Sequence, residues 1–366
     1  MQIDKDWIFE EALSIITDNY PPIGPIRGPQ RNRQIESWGQ IVGRTRAIAE
    51  FESAIEQYGS LTAFGRKYHM APRTLRDLKE FFKSLPDDRI RGSIYPGLKL
   101  GGWRLLRQLG KGGNSKVWHA KDINSQHAAI KILKRARGIS LKRFISEITI
   151  LQQLKDVPGI LPIIASVSLE QIEQEEYAWL VTPIALPIKD AIFKDTTPQD
   201  ILHGITHIAA TITELHSLEI THRDIKPDNI YILNDEWVIG DFGIASFPDK
   251  ESLTLPNQKL GPLHYIAPEM LMNADMADAR KADVYSLAKT LWVLLTGQIY
   301  PPPGEQRCDV PSMRISTWVI INKSNIIDEL IERATRHEPE ERPTMREFRD
   351  ILINVISQKG YFDTSP

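Results

Sequence analysis

THRDIKPDNI, residues 221–230, sets His222, Arg223, Asp224, Lys226, Asp228 and Asn229 between two largely apolar flanks, LEI and YIL. A loop with only a connecting role would not gather two carboxylates, two cations, an imidazole and an amide in so short a span. Phosphoryl transfer needs such a set: a carboxylate to take the proton of the attacking hydroxyl, and cations to neutralise the moving phosphoryl group. Asp224 supplies the first, Lys226 assists the second, and Asn229 can ligate a magnesium ion. VIGDFG, residues 238–243, then reads as a strand and a turn presenting Asp241, a hard oxygen donor suited to Mg²⁺. His222 has the chemistry of a zinc ligand, but no cysteine or second histidine stands at zinc spacing, so it is expected to pack.

Upstream, LGKGGNSKVW (109–118) crowds glycines together where a backbone must approach a partner closely, and phosphate is the usual guest. A Walker A loop fails at both ends of GKGGNSKV, and a Rossmann turn would open a helix where KVWHAKD continues as a strand. A strand-loop-strand lid fits better, with Leu109 and Val117 on either side of a nucleotide base. Taken alone, the run is equally consistent with a flexible turn. AAIK (128–131) adds Lys131 on a strand, where an ammonium can hold phosphate oxygens. The following helical segment carries Glu147 within RFISEITIL, placed to orient that lysine, although a surface glutamate would read the same way. A buried lysine without a partner would lose its charge, which gives the pairing a physical purpose.

Bulk properties are those expected of a folded soluble protein. The chain of 366 residues is 42% hydrophobic and carries a formal charge of −2, which excludes a globally basic nucleic-acid binder and leaves local patches. One cysteine, Cys308, excludes an internal disulfide framework and suits a reducing compartment. LWVLL (291–295) falls far short of a membrane helix, and the acidic, amphipathic MQIDKDWIFEEAL has no secretory pattern. A cytoplasmic protein with no membrane attachment is expected; its oligomeric state is left open.

Punctuation divides the chain. NYPPIGPIRGPQ (19–30) closes an N-terminal arm and Pro/Gly-rich linker over 1–35, and PDDRIRGSIYPG marks a second linker over 86–97. Residues 36–85 between them read as helical. After 98, short β-prone pieces give way to a helical segment, ISLKRFISEITILQQLK, and the chain is mostly helical from about 198.

These motifs together resemble a eukaryotic-type (Hanks-type) serine/threonine protein kinase over residues 98–357, leaving a tail at 358–366. The glycine loop, AAIK, Glu147, HRDIKPDN, DFG, APE (267–269), DVYSLA (283–288) and ERPT (341–344) occur in the family's order. The resemblance implies an α+β bilobal protein kinase fold, with a small β-rich lobe and a large helical lobe, preceded by a small all-helical domain. It implies ATP and Mg²⁺ as cofactors and a protein as substrate. Catalysis would fall to Asp224, Lys226, Lys131 and Glu147, and metal binding to Asn229 and Asp241. ATP would meet Leu109, Gly110, Lys111, Gly112, Gly113, Asn114, Ser115, Lys116 and Val117 of the lid, with Ala129, Lys131, Thr182 and Ala185. By the same resemblance Asp283 braces the catalytic loop from a buried helix and Glu269 pairs with Arg342. Lys226, two residues after Asp224, favours serine/threonine over tyrosine transfer.

Two positions depart from the family pattern. Ser115 replaces the last glycine of the lid, which is tolerable if its φ is negative. Pro262, in GPLHYIAPE, stands where a threonine hydroxyl is usual; its loss should slow transfer without abolishing it. Lys131, Asp224 and Asp241 are all present, so an active enzyme is expected; a nonenzymatic scaffold that binds nucleotide is the alternative. By the same resemblance Arg223 would bind a phosphate on SFPDKESLTLPNQKL, where Ser246, Ser252 and Thr254 are the candidate phosphosites.

Within 36–85, Ile48, Phe51, Ile55 and Tyr58 keep helical spacing, Leu61, Phe64 and Tyr68 mark a second helix, and Leu75, Leu78 and Phe82 a third begun by Pro72. This resembles a helix-turn-helix unit, with Arg73, Thr74 and Arg76 as candidate contacts to double-stranded DNA. Lysines and arginines exceed acids in 60–84, a phosphate footprint that equally suits docking of a protein partner.

Overall fold

The structure, a computed structural model, describes residues 48, 51–52, 55, 59–67, 71–84, 94, 97–111, 115–133, 138–170, 172, 177–192, 196–245, 264–272 and 276–357. Contacts divide the chain into two units, Met1–Ala136 with Ser166–Val181, and Arg137–Ala165 with Thr182–Pro366.

The first unit holds a six-stranded sheet in which β1 to β4 run antiparallel. Its strands are β1 (Lys99–Leu100), β2 (Trp103–Lys111), β3 (Ser115–Lys121), β4 (His127–Leu133), β5 (Ala165–Ser166) and β6 (Trp179–Thr182), in the order β1-β2-β3-β4-β6-β5. Gly101 and Gly102, both at positive φ, make the two-residue turn between β1 and β2. A Cβ at Gly101 would lie 2.1 Å from the Trp179 ring, so a side chain there would also drive into the sheet. Between β3 and β4 the Asp122 carboxylate accepts from the backbone N–H groups of Asn124 (2.9 Å) and Gln126 (2.8 Å), closing an Asx turn. Trp118, Ala120, Ala128, Ile130 and Ile132 point into the core. The register pairs Gly110 with Val117, Val117 with Lys131, and His119 with Ala129, so these residues share the opposite face.

The same unit carries helices α1 (Leu61–Lys67) and α2 (Pro72–Ser84), with Pro72 opening α2. Ser60 caps α1 through its hydroxyl, which accepts from the Ala63 N–H at 3.1 Å. Leu75, Leu78 and Phe82 form the buried stripe of α2. Phe51 meets Phe64 and Phe82 edge-on, with ring centroids 6.1 and 5.5 Å apart. Tyr58 and Tyr68 lie outside the described residues.

The second unit is mainly helical: α3 (Gly138–Gln153), α4 (Ile188–Ala191), α5 (Pro198–Ser217), α6 (Pro268–Met272), α7 (Ala279–Thr296), α8 (Ser324–Ala334) and α9 (Met345–Ser357). A small sheet, β7 (Leu186–Pro187), β8 (Ile230–Leu233) and β9 (Glu236–Ile239), accompanies them. Thr197 and Asp200 start α5 with a reciprocal capping box. Gly204 lets α5 approach β9 closely; a Cβ there would sit 2.1 Å from the Trp237 ring.

Helix α7 is the centre of this unit. Every residue from Ala282 to Leu295 is buried, so LWVLL is the interior of a core helix. Asp278 caps its start and Gly297, at φ 67°, ends it in the left-handed conformation. Among the described residues, no helix is long and apolar enough to cross a membrane.

Candidate active site

The loop that carries Asp224 is built from below by α7. Asp283, fully buried, accepts from the backbone N–H groups of His222 (2.9 Å) and Arg223 (2.8 Å) and contacts His216 Nε2 at 3.0 Å. Arg223 takes a left-handed φ of 65° immediately after these two bonds. A non-glycine residue there is strained, and the buried anion holds the strain in place. His222 is fully buried, with its ring 4.8 Å from that of Phe242. Its Nε2 contacts the Gly240 carbonyl at 3.1 Å, and its Nδ1 accepts from the Asp224 N–H at 3.2 Å. Both ring nitrogens are therefore used in packing, as the absence of zinc spacing led one to expect.

Asp224 follows with its carboxylate largely buried, 14% of the side chain being exposed. Its Oδ2 accepts from Lys226 Nζ at 2.6 Å and from Asn229 Nδ2 at 2.9 Å, leaving Oδ1 clear of these two donors. The Asn229 amide also donates to the Asp224 carbonyl at 2.8 Å, across a 3₁₀ turn at Pro227–Asn229. Burial raises the Asp224 pKa, Lys226 opposes the rise, and the charge of Asp241 adds to it. Asp228 points elsewhere and pairs with Lys189 at 2.8 Å.

The hairpin of β8 and β9 brings Asp241 to this loop. Its turn, Asn234-Asp235, has both residues at positive φ, as a two-residue hairpin requires. Asp241 is itself left-handed, φ 64°, and buried Phe242 anchors the turn. An added Cβ on Gly243 would meet Asp241 Oδ1 at 3.5 Å and Glu147 Oε2 at 3.8 Å, so both carboxylates border this turn. Glu147 is buried on α3.

The donor set fits magnesium. The Asn229 amide nitrogen is spent on Asp224, so its oxygen is the atom left for a cation. Asp241 is near enough to Asp224 to raise its pKa, and a divalent cation would relieve that repulsion. Among the described residues no three His, Cys, Asp or Glu side chains form a metal cage. A few protein oxygens completed by phosphate and water is the usual arrangement for Mg²⁺.

In the sheet unit, Lys131 and Ala129 lie on β4 and Val117 and Ser115 on β3, all partly buried. Ser115 is in extended strand and is not among the described residues of positive φ, so the side chain costs no backbone strain. Lys111 and Lys116 pair with each other across β2 and β3, alternating away from the Val117–Lys131 face. Leu109 is exposed; Thr182 ends β6, and Ala185 lies between β6 and β7. Gly112, Gly113, Asn114, Ser246, Ser252, Thr254 and Pro262 lie outside the described residues.

Glu269 and Arg342 form the expected pair. The guanidinium grips the carboxylate at 2.6 and 2.9 Å and also donates to the Arg336 (2.8 Å) and His337 (2.9 Å) carbonyls. Sequence reasoning missed His216 as a partner of Asp283, and it missed Lys289 on α7. For Lys289 there was a signal: a charged residue inside an otherwise apolar helical run.

Protein-family comparison matches the protein kinase domain to residues 103–352. The chain belongs to the protein kinase domain family. It is 28% identical over 206 residues to a probable serine/threonine-protein kinase PknB of Lactococcus lactis, covering 54% of this chain and 32% of that protein. It is 31% identical over 219 residues to the serine/threonine-protein kinase PrkC of Bacillus subtilis, covering 57% and 32%. With the serine/threonine-protein kinase PknE of Mycobacterium tuberculosis the identity is 27% over 260 residues, covering 67% and 44%. The chain thus matches 32% to 44% of the length of these relatives.

Proposed function

We propose that the protein is an ATP-dependent serine/threonine protein kinase. The observation that carries this reading is the Asp224 carboxylate, braced on Oδ2 by Lys226 and Asn229 with Oδ1 free of both. In the proposed reaction Asp224 Oδ1 accepts the proton of a substrate serine or threonine hydroxyl. The freed oxygen bonds to the γ-phosphorus, the bond to the β-bridging oxygen breaks, and ADP leaves. Lys226 neutralises charge beside the transferred group while keeping Asp224 ionised. Lys131 holds phosphate oxygens, Glu147 orients Lys131, and the 109–117 run covers the nucleotide with Ala129, Thr182 and Ala185 at its base. Asn229 and Asp241 would hold Mg²⁺, which when bound offsets phosphate charge. The names of the three relatives agree with serine/threonine transfer.

Incubation with labelled ATP, with and without excess chelator, tests the proposal. Phosphoserine or phosphothreonine that disappears with chelator is expected; phosphotyrosine as the main product, or no transfer at all, contradicts it. Ser246, Ser252 and Thr254 are proposed as sites whose phosphate Arg223 would bind.

For the N-terminal helices we propose a binding role, toward duplex DNA or a protein partner. Exposed Arg66, Arg73 and Arg76, with half-buried Thr74, support it. The basic surface is smaller than the sequence count: Lys79 pairs with Glu52 and Lys83 with Glu80, both at 2.7 Å. Arg76 also turns its Nε back to the Pro72 carbonyl at 3.4 Å.

A further inference from the structure

Four adjacent strands place basic side chains directly opposite one another. Lys99 on β1 pairs with Arg104 on β2, Arg104 with Lys121 on β3, and Lys121 with His127 on β4. Residues opposed in this way share a face, so the four form one row across the sheet. A register shift after Leu105 sets Arg107 opposite His119, which opens a second row ending at Ala129. His119 Nε2 lies 2.7 Å from His127 Nδ1 and joins the two rows. Leu105, Ala120 and Ala128 alternate with these residues and fill the core, so the rows lie on the other face. Lys99, Arg107 and His127 are exposed; Arg104, His119 and Lys121 are half-buried. The nucleotide contacts proposed above, Val117 and Lys131, pair in a third row, beyond Ala129.

By itself this arrangement is unfavourable, because like charges directly opposite on neighbouring strands repel. No carboxylate stands in either row. The nearest in sequence, Asp122, is committed to its own turn through the Asn124 and Gln126 N–H groups. Arg104 and Lys121 make further interactions within the chain, whereas among the described residues Lys99 and Arg107 form no ion pair. The contact between the imidazoles needs one ring nitrogen as acceptor, so at least one ring is neutral. The standing charges are therefore Lys99, Arg104, Arg107 and Lys121. An anion lying across the rows would turn their mutual repulsion into attraction.

We propose that this face of the sheet binds the phosphate backbone of duplex DNA. At a strand spacing of about 4.8 Å the first row spreads over about 14 Å. Along that length a duplex presents about eight phosphate charges. Backbone contact asks only for cations and hydrogen-bond donors. A protein partner asks for apolar contact at the centre of its interface, and the two rows offer Ala129 alone. Exposed Arg66, Arg73 and Arg76 belong to the same unit of the chain. The inference rests on the DNA half of the N-terminal reading above and carries it from the helices to the sheet.

The test follows the anisotropy of a labelled random-sequence duplex titrated with the full chain, with excess ADP to fill the nucleotide site. Lys99→Gln with Arg107→Gln alters two exposed side chains. It is expected to weaken binding about tenfold or more at low salt and to make the slope of log affinity against log salt shallower by about two. Lys99→Arg with Arg107→Lys keeps the charges and should keep both values, with thermal melting unchanged in each variant. Equal loss of binding in this charge-conserving pair overturns the inference, since charge would not be the cause. Unchanged affinity and slope in the glutamine pair, while Arg73→Ala with Arg76→Ala still weakens binding, overturns it and leaves the helices as the DNA contact. Tighter binding of polyglutamate, or of phosphatidylserine vesicles, than of duplex at equal charge concentration overturns it in favour of a protein or membrane partner. No binding of duplex by the unsubstituted protein at low salt overturns it together with the DNA reading of the helices.

Discussion

Asp224 combines two opposing influences. Burial raises its pKa, and the ammonium of Lys226 at 2.6 Å pulls it back. A base must be ionised to accept a proton, so the acid limb of kcat reports this balance. Lys226→Met removes the lowering influence, and the acid limb should move to higher pH, with kcat reduced even on the plateau. A pH profile at saturating peptide and ATP checks this; an acid limb that stays in place would mean Lys226 does not set the ionisation of Asp224. The residue types of this site were legible in the sequence because carboxylate, lysine and amide crowd into a few positions. Their conformations were not. Arg223 and Asp241 both take positive φ, and each sits beside a tertiary contact that no local pattern encodes: the Asp283 carboxylate, which accepts from the Arg223 N–H, for one, and buried Phe242 for the other.

At the level of elements, α7 organises the helical unit through its buried polar groups. Asp283 uses both oxygens as acceptors for successive N–H groups and meets His216 besides. Asp283→Asn, nearly isosteric, would turn an amide N–H₂ toward at least one of those donors and leave a buried backbone N–H unpaired, at a cost of about 1–3 kcal/mol. The loop should lose its strained form, and kcat should fall about 100-fold with ATP affinity preserved. Stopped-time assays beside nucleotide titration measure both; an unchanged kcat would remove Asp283 from the account. The helical periodicity of α2 was readable in advance, since Leu75, Leu78 and Phe82 follow one face. The pairing of Lys79 with Glu52 was not, because it joins residues 27 positions apart, which no local pattern encodes. Lys289 stood out as a charge in an apolar helical run, but its partners did not, being carbonyls of a turn beyond the end of its own helix.

The whole molecule pairs a protein kinase domain with basic helices ahead of it. With Lys79 and Lys83 already neutralised within the chain, DNA binding by the N-terminal segment should be weak and steeply salt-dependent. In electrophoretic shift assays on the full chain at low and moderate salt, Arg73→Ala with Arg76→Ala should abolish any shifted band. No shift at low salt would leave the helices as a protein-docking element, and the same double variant should then impair phosphorylation of a docked partner and spare autophosphorylation. The central claim is narrower: this chain transfers phosphate with Asp224 as base. Its most direct test is Asp224→Asn, compared with the unsubstituted protein for phosphoserine and phosphothreonine formed from labelled ATP and, separately, for ATP binding. The account predicts a loss of turnover of about 10²–10⁴-fold with nucleotide affinity retained. Turnover unchanged in Asp224→Asn, or absent from the unsubstituted protein while it binds ATP, would contradict it.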